Sequence, residues 1–368
     1  MTQPQKTILS RSPGRINLIG EHTDYNNGFV LPAAIDKAAY VQLTLRNDDK
    51  IELRSRDFNA THETTLGTIK PSDKGWPNYL LGVVDQLLSK GTAMTGFEAV
   101  LWGDVPAGAG LSSSAAVECA MLIALNEAFH LNMARMTMAQ TAQAAEHAFA
   151  GVKVGIMDPF ASLFGKEGHV IRLDCRSLEY EYVPFHAEGY RLVLCDSGVH
   201  HSLASSEYNV RRQQCEAGVA AIQPHEPTVQ SLRDVTPDML KYITDPLIAN
   251  RCRYVVEENQ RVKKACEDLE RDDLKAFGAR LYETHEGLSK LYEVSCPELD
   301  FLVEKARPQT AVLGARMMGG GFGGCTLNLV ETDKVDAFTK TMTDAYKKDL
   351  DKTLKVYVAN IGNGGSIQ

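Results

Sequence analysis

The sequence predicts an α+β protein of two domains, and three observations predict it. At 368 residues with 44% hydrophobic side chains, the chain is longer than a single core of roughly 150 residues needs. Its first half mixes period-two strands with apolar helices. Its second half turns mainly helical and closes with strands of its own, so each half has a sheet to bury. The boundary is expected near Pro184, giving domains 1–184 and 185–368 with a cleft between them.

Ile16 and Leu18 alternate with Arg15 and Asn17, the period of a strand with one buried face, and Gly20 then lets the backbone bend. Tyr40 to Leu45 alternates again, turns at Asn47-Asp48-Asp49 and resumes with Ile51-Glu52-Leu53, which predicts a β-hairpin. Trp76 to Ser89 carries Leu80, Leu81, Val84, Leu87 and Leu88 at helical spacing, and Phe97 to Trp102 follows as a strand. Ser113 to Phe129 reads as a long apolar helix, and Thr137 to Ala150 as a second one stopped by Gly151. Strand-like runs at Val170 to Leu173 and Arg191 to Asp196 bracket the expected boundary. Beyond it come helices at Leu203 to Ala221, Pro246 to Leu269 with Asp245 as N-cap, Leu274 to Tyr292 and Glu298 to Ala306, then strands at Cys325 to Val330 and Thr353 to Val358.

Composition narrows the partners. The balance of 39 Lys plus Arg against 47 Asp plus Glu gives a net charge of −8, the wrong sign for a protein that lives on phosphate backbones, so no nucleic acid is expected. Met1 to Thr7 has no apolar run behind its lysine, and Ala115 to Phe129 is interrupted by Glu118, Asn126 and Glu127, too short and too polar to span a bilayer. The expectation is a cytoplasmic monomer with no membrane partner. The eight cysteines form no Cys-x-x-Cys pair and have no histidine at zinc-ligand spacing. Reduced thiols follow, with Cys119 and Cys195 acting as small hydrophobes.

Four segments carry chemistry. Arg15 to Pro32 packs a cation, an amide, an imidazole and the carboxylates Glu21 and Asp24 at a strand end. Such a rim can encircle a polyhydroxylated molecule, where each hydroxyl needs a donor and an acceptor and a missing partner costs about 1–3 kcal/mol. A sugar pocket is the reading. The glycine-rich loop Pro106 to Leu111 runs into an apolar helix whose N-terminal N–H groups suit an anion, so it is a candidate phosphate cradle. The hydroxyls of Ser112, Ser113 and Ser114 can cap that helix, touch phosphate or ligate magnesium. In Gly319-Gly320-Gly321-Phe322-Gly323-Gly324 the glycines are too many for an ordinary turn, and something is expected to approach that backbone closely. Asp158, in an apolar run after Gly151, either caps the following helix or needs a cationic or hydroxyl partner. Glu146, beside His147, faces solvent or a cation. His22, His200 and His201 lack the spacing of a transition-metal site.

Taken in this order, the glycine-bearing segments resemble the GHMP kinase superfamily, with Pro106 to Ala115 as its nucleotide loop. Gly14-Arg15-Ile16-Asn17-Leu18-Ile19-Gly20-Glu21-His22-Thr23-Asp24-Tyr25 narrows this to the galactokinase family, and Gly155-Ile156-Met157-Asp158 and Ser205 to Arg212 match further family segments. The resemblance implies a two-domain GHMP kinase fold with the active site in the cleft, ATP and galactose as substrates, galactose 1-phosphate as product, and entry into galactose catabolism. It implies Asp158 as catalytic base with Arg15 beside it, and Glu21, His22, Thr23, Asp24, Gly155, Asp158 and Tyr208 as the sugar-binding set. Gly108, Ala109, Gly110, Leu111, Ser112, Ser113 and Ser114 would hold the nucleotide, and Ser114 and Glu146 the Mg2+ ion. Pro159 departs from the family, where Gln is common. An N-acetylgalactosamine kinase of the same superfamily is a neighbouring reading. A non-catalytic sugar sensor would be expected to lose residues that are present here, Ser114, Ala115, Arg15 and Asp158.

Overall fold

The computed structural model describes residues 7–106, 108–151, 154–199 and 204–368, the side chains of 204–206 excepted. Of the positions named above, Met1 to Lys6, Ala107, His200, His201, Leu203 and the side chains of Ser205 and Ser206 lie outside the described residues. The strands are β1 (Thr7–Asn17), β2 (Phe29–Val30), β3 (Pro32–Leu45), β4 (Lys50–Ser55), β5 (Ala60–Thr65), β6 (Phe97–Gly103), β7 (His169–Asp174), β8 (Tyr180–Pro184), β9 (Tyr190–Asp196), β10 (Val312–Met317), β11 (Cys325–Glu331), β12 (Lys355–Ala359) and β13 (Ser366–Ile367). The helices are α1 (Pro77–Ser89), α2 (Ser113–Ala128), α3 (Arg135–Ala145), α4 (Met157–Phe164), α5 (Ala204–Ile222), α6 (Pro246–Glu270), α7 (Leu274–Glu286), α8 (Pro297–Ala306) and α9 (Val335–Leu350).

The class is α+β. One sheet runs β13-β1-β3-β6-β4-β5, a second β10-β11-β9-β12 and a third β2-β7-β8. The hairpin expected between β3 and β4 does not form. β6 inserts between them, antiparallel to β3 and parallel to β4, and β4 makes its hairpin with β5 instead. Gly96 explains the insertion: it exchanges backbone hydrogen bonds with Arg46 and Asp48, and a Cβ there would lie 2.2 Å from the Lys50 carbonyl. The chain between the strands therefore pairs with Gly96 rather than closing on itself.

α2 lies across β1 and β3. Its apolar residues from Ala115 to Leu125 are buried nearly all round, the signature of an interior helix rather than an amphipathic one. Asp245 caps α6 as expected, accepting from the amides of Leu247 at 2.8 Å and Ile248 at 3.3 Å. Gly151 ends the helix after α3 in a left-handed conformation, φ 73°. The helix expected over Leu274 to Tyr292 ends as α7 and continues as a wide π-helical turn, Gly287–Leu291, where a Cβ on Gly287 would press on the Tyr254 ring at 2.7 Å.

A buried cluster joins the two halves of the chain: Ile16, Leu18 and Ile19 pack with Leu192, Leu194, Leu327 and Leu329 of the second sheet and with Val262, Phe277 and Leu281 of α6 and α7. The loop that follows β1 therefore starts from the common core of both sheets. β13 returns the end of the described chain to the first sheet, pairing Ile367 with Ser10. Among the described residues no helix is long and apolar enough to cross a membrane. All eight cysteines are free thiols, and Cys119 and Cys195 are buried among apolar neighbours.

Candidate active site

The pairing of β1 with β3 slips between Pro13 and Arg15. Gly14 occupies the slip because a Cβ there would lie 2.7 Å from the Leu111 carbonyl, so the glycine-rich loop packs directly on the strand. The Arg15 amide donates to Leu111 O at 3.0 Å. Its guanidinium donates to Gly110 O at 2.6 Å and grips Asp158 with two parallel bonds, Nε to Oδ1 at 2.8 Å and Nη2 to Oδ2 at 3.0 Å. Such a fork is both stronger and more directional than a single ionic contact. Burial alone would lower the guanidinium pKa, but the charges of Asp158 and Glu21 outweigh it and hold Arg15 protonated more firmly than in water.

Ser112 donates to the same carboxylate. To do so it adopts a left-handed backbone, φ 55°, and gives no side-chain cap to α2, a strain of about 1–3 kcal/mol of the kind found at functional sites. Asp158 is the second residue of α4 and does not cap it; the alternative with a cationic and a hydroxyl partner is the one realised. Pro159 fits the first turn of α4, where an amide has no helical partner.

Arg15, Glu21, His22, Asp24, Gly155, Asp158 and Tyr208 surround one cavity of about 300 Å³, closed on another side by Gly319, Gly320 and Gly321. Glu21 takes the amide of Gly319 at 2.8 Å and an ion pair from the fully buried Arg316. Gly155 leaves room for Asp24: a Cβ would sit 1.8 Å from its Oδ2. Burial, followed by the charge of Asp158, pushes the Asp24 carboxyl up to about 7. Burial also pulls the His22 imidazole down to about 4, so the ring is neutral.

α6 carries the loop. Its Glu258 accepts the Gly20 amide at 2.8 Å, Asn259 accepts that of Phe29 at 2.9 Å, and Tyr254 donates to the Glu21 carbonyl at 3.0 Å. Thr23 does not reach the cavity. It is buried beneath it, with its hydroxyl on the carbonyls of Gly20 and Phe29 at 2.8 and 2.6 Å.

The other face of the loop borders a second cavity of about 860 Å³, where Gly108, Ser113 and Ser114 meet a mainly apolar wall that includes Trp76, Tyr79, Leu101, Trp102, Val105 and Val117. Trp76 Nε1 is buried without a partner among the described residues. Ser114 donates to Glu146 at 3.1 Å, and Glu146 opens a π-helical turn, Glu146–Ala150, of a kind that recurs at functional sites. Burial, with Asp158 adding to it, raises the Glu146 carboxyl to about 7.

One turn beyond Ser114, Glu118 is fully buried with both carboxylate oxygens unpartnered among the described residues, and burial, then Glu146 and Asp158, push its pKa well up. A hydroxyl and buried acids lacking cations are the donor set of a hard divalent ion, so these residues fit Mg2+. Ala109 and Leu111 line neither cavity. Both are buried supports of the loop, and Gly110 and Ser112 act through their bonds to Arg15 and Asp158.

The close approach expected at the third glycine run is made by the protein itself. A Cβ on Gly319 would lie 3.5 Å from Gly110 Cα, so the two glycine-rich loops meet backbone to backbone, and one on Gly321 would lie 2.1 Å from Val294 O. Arg316 and the α6 residues were missed by the sequence reading. The argument applied to Asp158, a charge inside an apolar run, would have found Arg316 between Ala315 and Met317 and would have given Glu118 a role. Both tryptophans of the chain line the larger cavity, but no spacing in the sequence joins them.

Three family models match: the galactokinase galactose-binding signature over residues 2–44, the N-terminal domain of GHMP kinases over 78–166 and the C-terminal domain of GHMP kinases over 265–348. A galactokinase of Chloroflexus aurantiacus is 43% identical, with 98% of this chain and 93% of the relative covered. A galactokinase of Roseiflexus sp. is 40% identical, covering 97% and 92%. The crystal structure of Lactococcus lactis galactokinase complexed with galactose superposes with a TM-score of 0.95 at 37% identity, covering 98% of this chain and 95% of that one.

Proposed function

The chain belongs to the galactokinase family within the GHMP kinases and phosphorylates the anomeric C1 hydroxyl of galactose from ATP, and we propose that the two cavities flanking the 108–114 loop hold the two substrates. The observation that carries this division is the seam of Arg15, Asp158 and Ser112, which ties the polar cavity to the loop bordering the apolar one. In the polar cavity Glu21, Asp24 and Asp158 supply acceptors and Tyr208 and Arg15 donors, the mixture a hexose needs. The apolar walls of the larger cavity suit a nucleobase, with the phosphates led to the start of α2.

Asp158 orients the C1 hydroxyl and accepts its proton as the C1 oxygen bonds to the terminal phosphorus and the bond to ADP breaks. Arg15, already fixed to Gly110 O and Asp158, stabilises the charge that develops on the transferred group. Ser114 and Glu146 would hold Mg2+, which neutralises phosphate charge when bound. Eight free thiols support a reducing cytoplasm.

The test is Mg2+- and ATP-dependent ADP release across galactose, glucose, 2-deoxygalactose and their N-acetyl forms, with the product identified by NMR. Galactose 1-phosphate as the preferred product is expected. Turnover of N-acetylgalactosamine with none of galactose would overturn the substrate assignment.

A further inference from the structure

One turn inside α2 a carboxyl group stands with nothing to hold it. Glu118 is 0% exposed, and neither of its oxygens has a hydrogen-bond partner among the described residues. It follows Ser114 by four positions in α2, which puts the two side chains on one face of the helix. It borders neither cavity. The charges that act on it are those of Glu146 and Asp158, and both are negative. The same three acids act on the neighbouring Cys119, whose thiol meets the Pro159 carbonyl at 3.8 Å, so this stretch of α2 packs on the first turn of α4.

Burial of an unpaired carboxyl costs stability in either protonation state: the anion loses its hydration, and the neutral acid leaves a hydroxyl donor and an oxygen unsatisfied. A cation nearby reverses that balance. The groups on this side of the loop that suit one are Ser114 and Glu146, already joined at 3.1 Å. Direct ligation by all the acids is not what the fold offers, because Glu118, Glu146 and Asp158 do not converge closely enough to hold one ion between them. Magnesium, however, keeps several of its waters when protein groups bind it. Each of those waters carries hydrogens that need an acceptor, and an unpaired carboxylate one turn behind Ser114 has two oxygens to offer them.

We propose that Glu118 is a positioning residue of the Mg2+ site: it accepts hydrogen bonds from water on an ion held by Ser114 and Glu146, and its charge strengthens the negative field that draws the ion in. This rests on Ser114 and Glu146 being the metal ligands. Glu118 acts through water and not by touching the ion, as hydrogen-bonded groups behind metal ligands commonly do. Its burial in an apolar helix is a burden on the empty protein that the loaded one recovers.

The experiment uses the full-length protein with Mn2+ as the probe, titrated in the presence of a non-hydrolysable ATP analogue and read by the EPR signal of the unbound ion. Glu118→Gln is expected to weaken Mn2+ binding about tenfold, with the affinity for the analogue in the absence of metal within about twofold of wild type. Pulsed EPR in D2O counts the waters on the bound ion, and the count is expected to stay the same in Glu118→Gln and to rise in Ser114→Ala. Glu118→Leu, apolar and close in volume, is expected to weaken Mn2+ at least as much while raising the Tm of the metal-free protein by about 2 °C. A residue with a structural bond to lose would lower it. Wild-type Mn2+ affinity in both Glu118 variants, an extra metal-bound water in Glu118→Gln, or a metal-free Tm that falls in Glu118→Leu would overturn the proposal. Wild-type Mn2+ affinity in Ser114→Ala and Glu146→Gln would instead overturn the metal-site reading on which the proposal stands.

Discussion

The two cavities share one loop and are built on opposite principles. The smaller, about 300 Å³, is walled by ionised and titratable groups drawn from β1, the loop after it, α4 and α5, with the backbone of the third glycine run closing it. The larger, about 860 Å³, is walled mainly by aromatic and aliphatic side chains. A polar wall selects by geometry, because each misplaced hydroxyl leaves a buried partner unpaired at about 1–3 kcal/mol. An apolar wall binds by area and tolerates error. Selectivity is therefore concentrated on one side of the 108–114 loop and general affinity on the other, with Arg15, Ser112 and Asp158 as the seam.

The seam is where the comparison breaks first. Asp158→Asn removes the proton acceptor and half of the Arg15 fork, and kcat is expected to fall about 10²- to 10⁴-fold while far-UV circular dichroism stays native. Steady-state kinetics with saturating substrates check this. Near-normal turnover would leave Asp158 a structural partner of Arg15 and nothing more. The next largest effect belongs to the polar side alone. Gly155→Ala places a methyl group 1.8 Å from Asp24 Oδ2, so the carboxylate must move, and the galactose KM is expected to rise about 10- to 100-fold with the ATP KM within about twofold. Equal rises in both constants would mean that the cavities are not independent.

How much of this was legible depended on whether a signal was local. Arg15, Glu21, His22 and Asp24 fall within one short segment, and their types alone announced a polar rim. Asp158 was suspicious because a carboxylate in an apolar run needs a partner, but that the partner was Arg15, 143 residues away, came through the family resemblance and not from spacing. The hairpin between β3 and β4 failed for the same reason: alternation reveals a strand, while the neighbour of β3 was supplied by β6, which begins at Phe97, well beyond the end of β3 at Leu45. Thr23 was grouped with Glu21, His22 and Asp24 in the implied sugar-binding set, yet its hydroxyl holds up the loop. The Trp76 and Trp102 wall and the α6 cradle of Tyr254, Glu258 and Asn259 are products of tertiary packing alone.

The apolar side can be perturbed in isolation through Trp76. Its indole N–H is buried without a partner among the described residues, and the ring lines the larger cavity. Trp76→Phe keeps most of the apolar surface and deletes the donor. The ATP KM is expected to rise about 3- to 10-fold, the net worth of one hydrogen bond, with the galactose KM unchanged. An unchanged ATP KM would show that the larger cavity binds by contact area without help from this donor.

The smallest effect concerns stability, and it separates the two sides by pH. Asp24 is raised from 3.8 to about 7 and Glu146 from 4.5 to about 7, by burial first and the charge of Asp158 second. A carboxyl whose folded pKa lies above its unfolded one keeps its proton in the folded state over the window between them. Through these two groups the folded protein binds more protons than the unfolded chain from about pH 4 to pH 7, which lowers ΔG of unfolding as pH rises; His22, pulled from 6.5 to about 4, works the other way below about pH 6.5, one group against two. The stability is fully present below about pH 4 and lost as pH passes 7. In the ligand-free, Mg2+-free enzyme the Tm is expected to drop by on the order of 5 °C between pH 5 and pH 8, measured by calorimetry. Asp24→Asn should flatten part of that slope by removing one of the two groups, and Asp158→Asn should flatten part of it by removing the smaller, electrostatic cause at both while the burial remains. Trp76→Phe, on the apolar side, should lower Tm without changing the slope. A slope that vanished in Trp76→Phe would mean that the electrostatics of the small cavity are set from across the loop, and the division between the two would have to be redrawn.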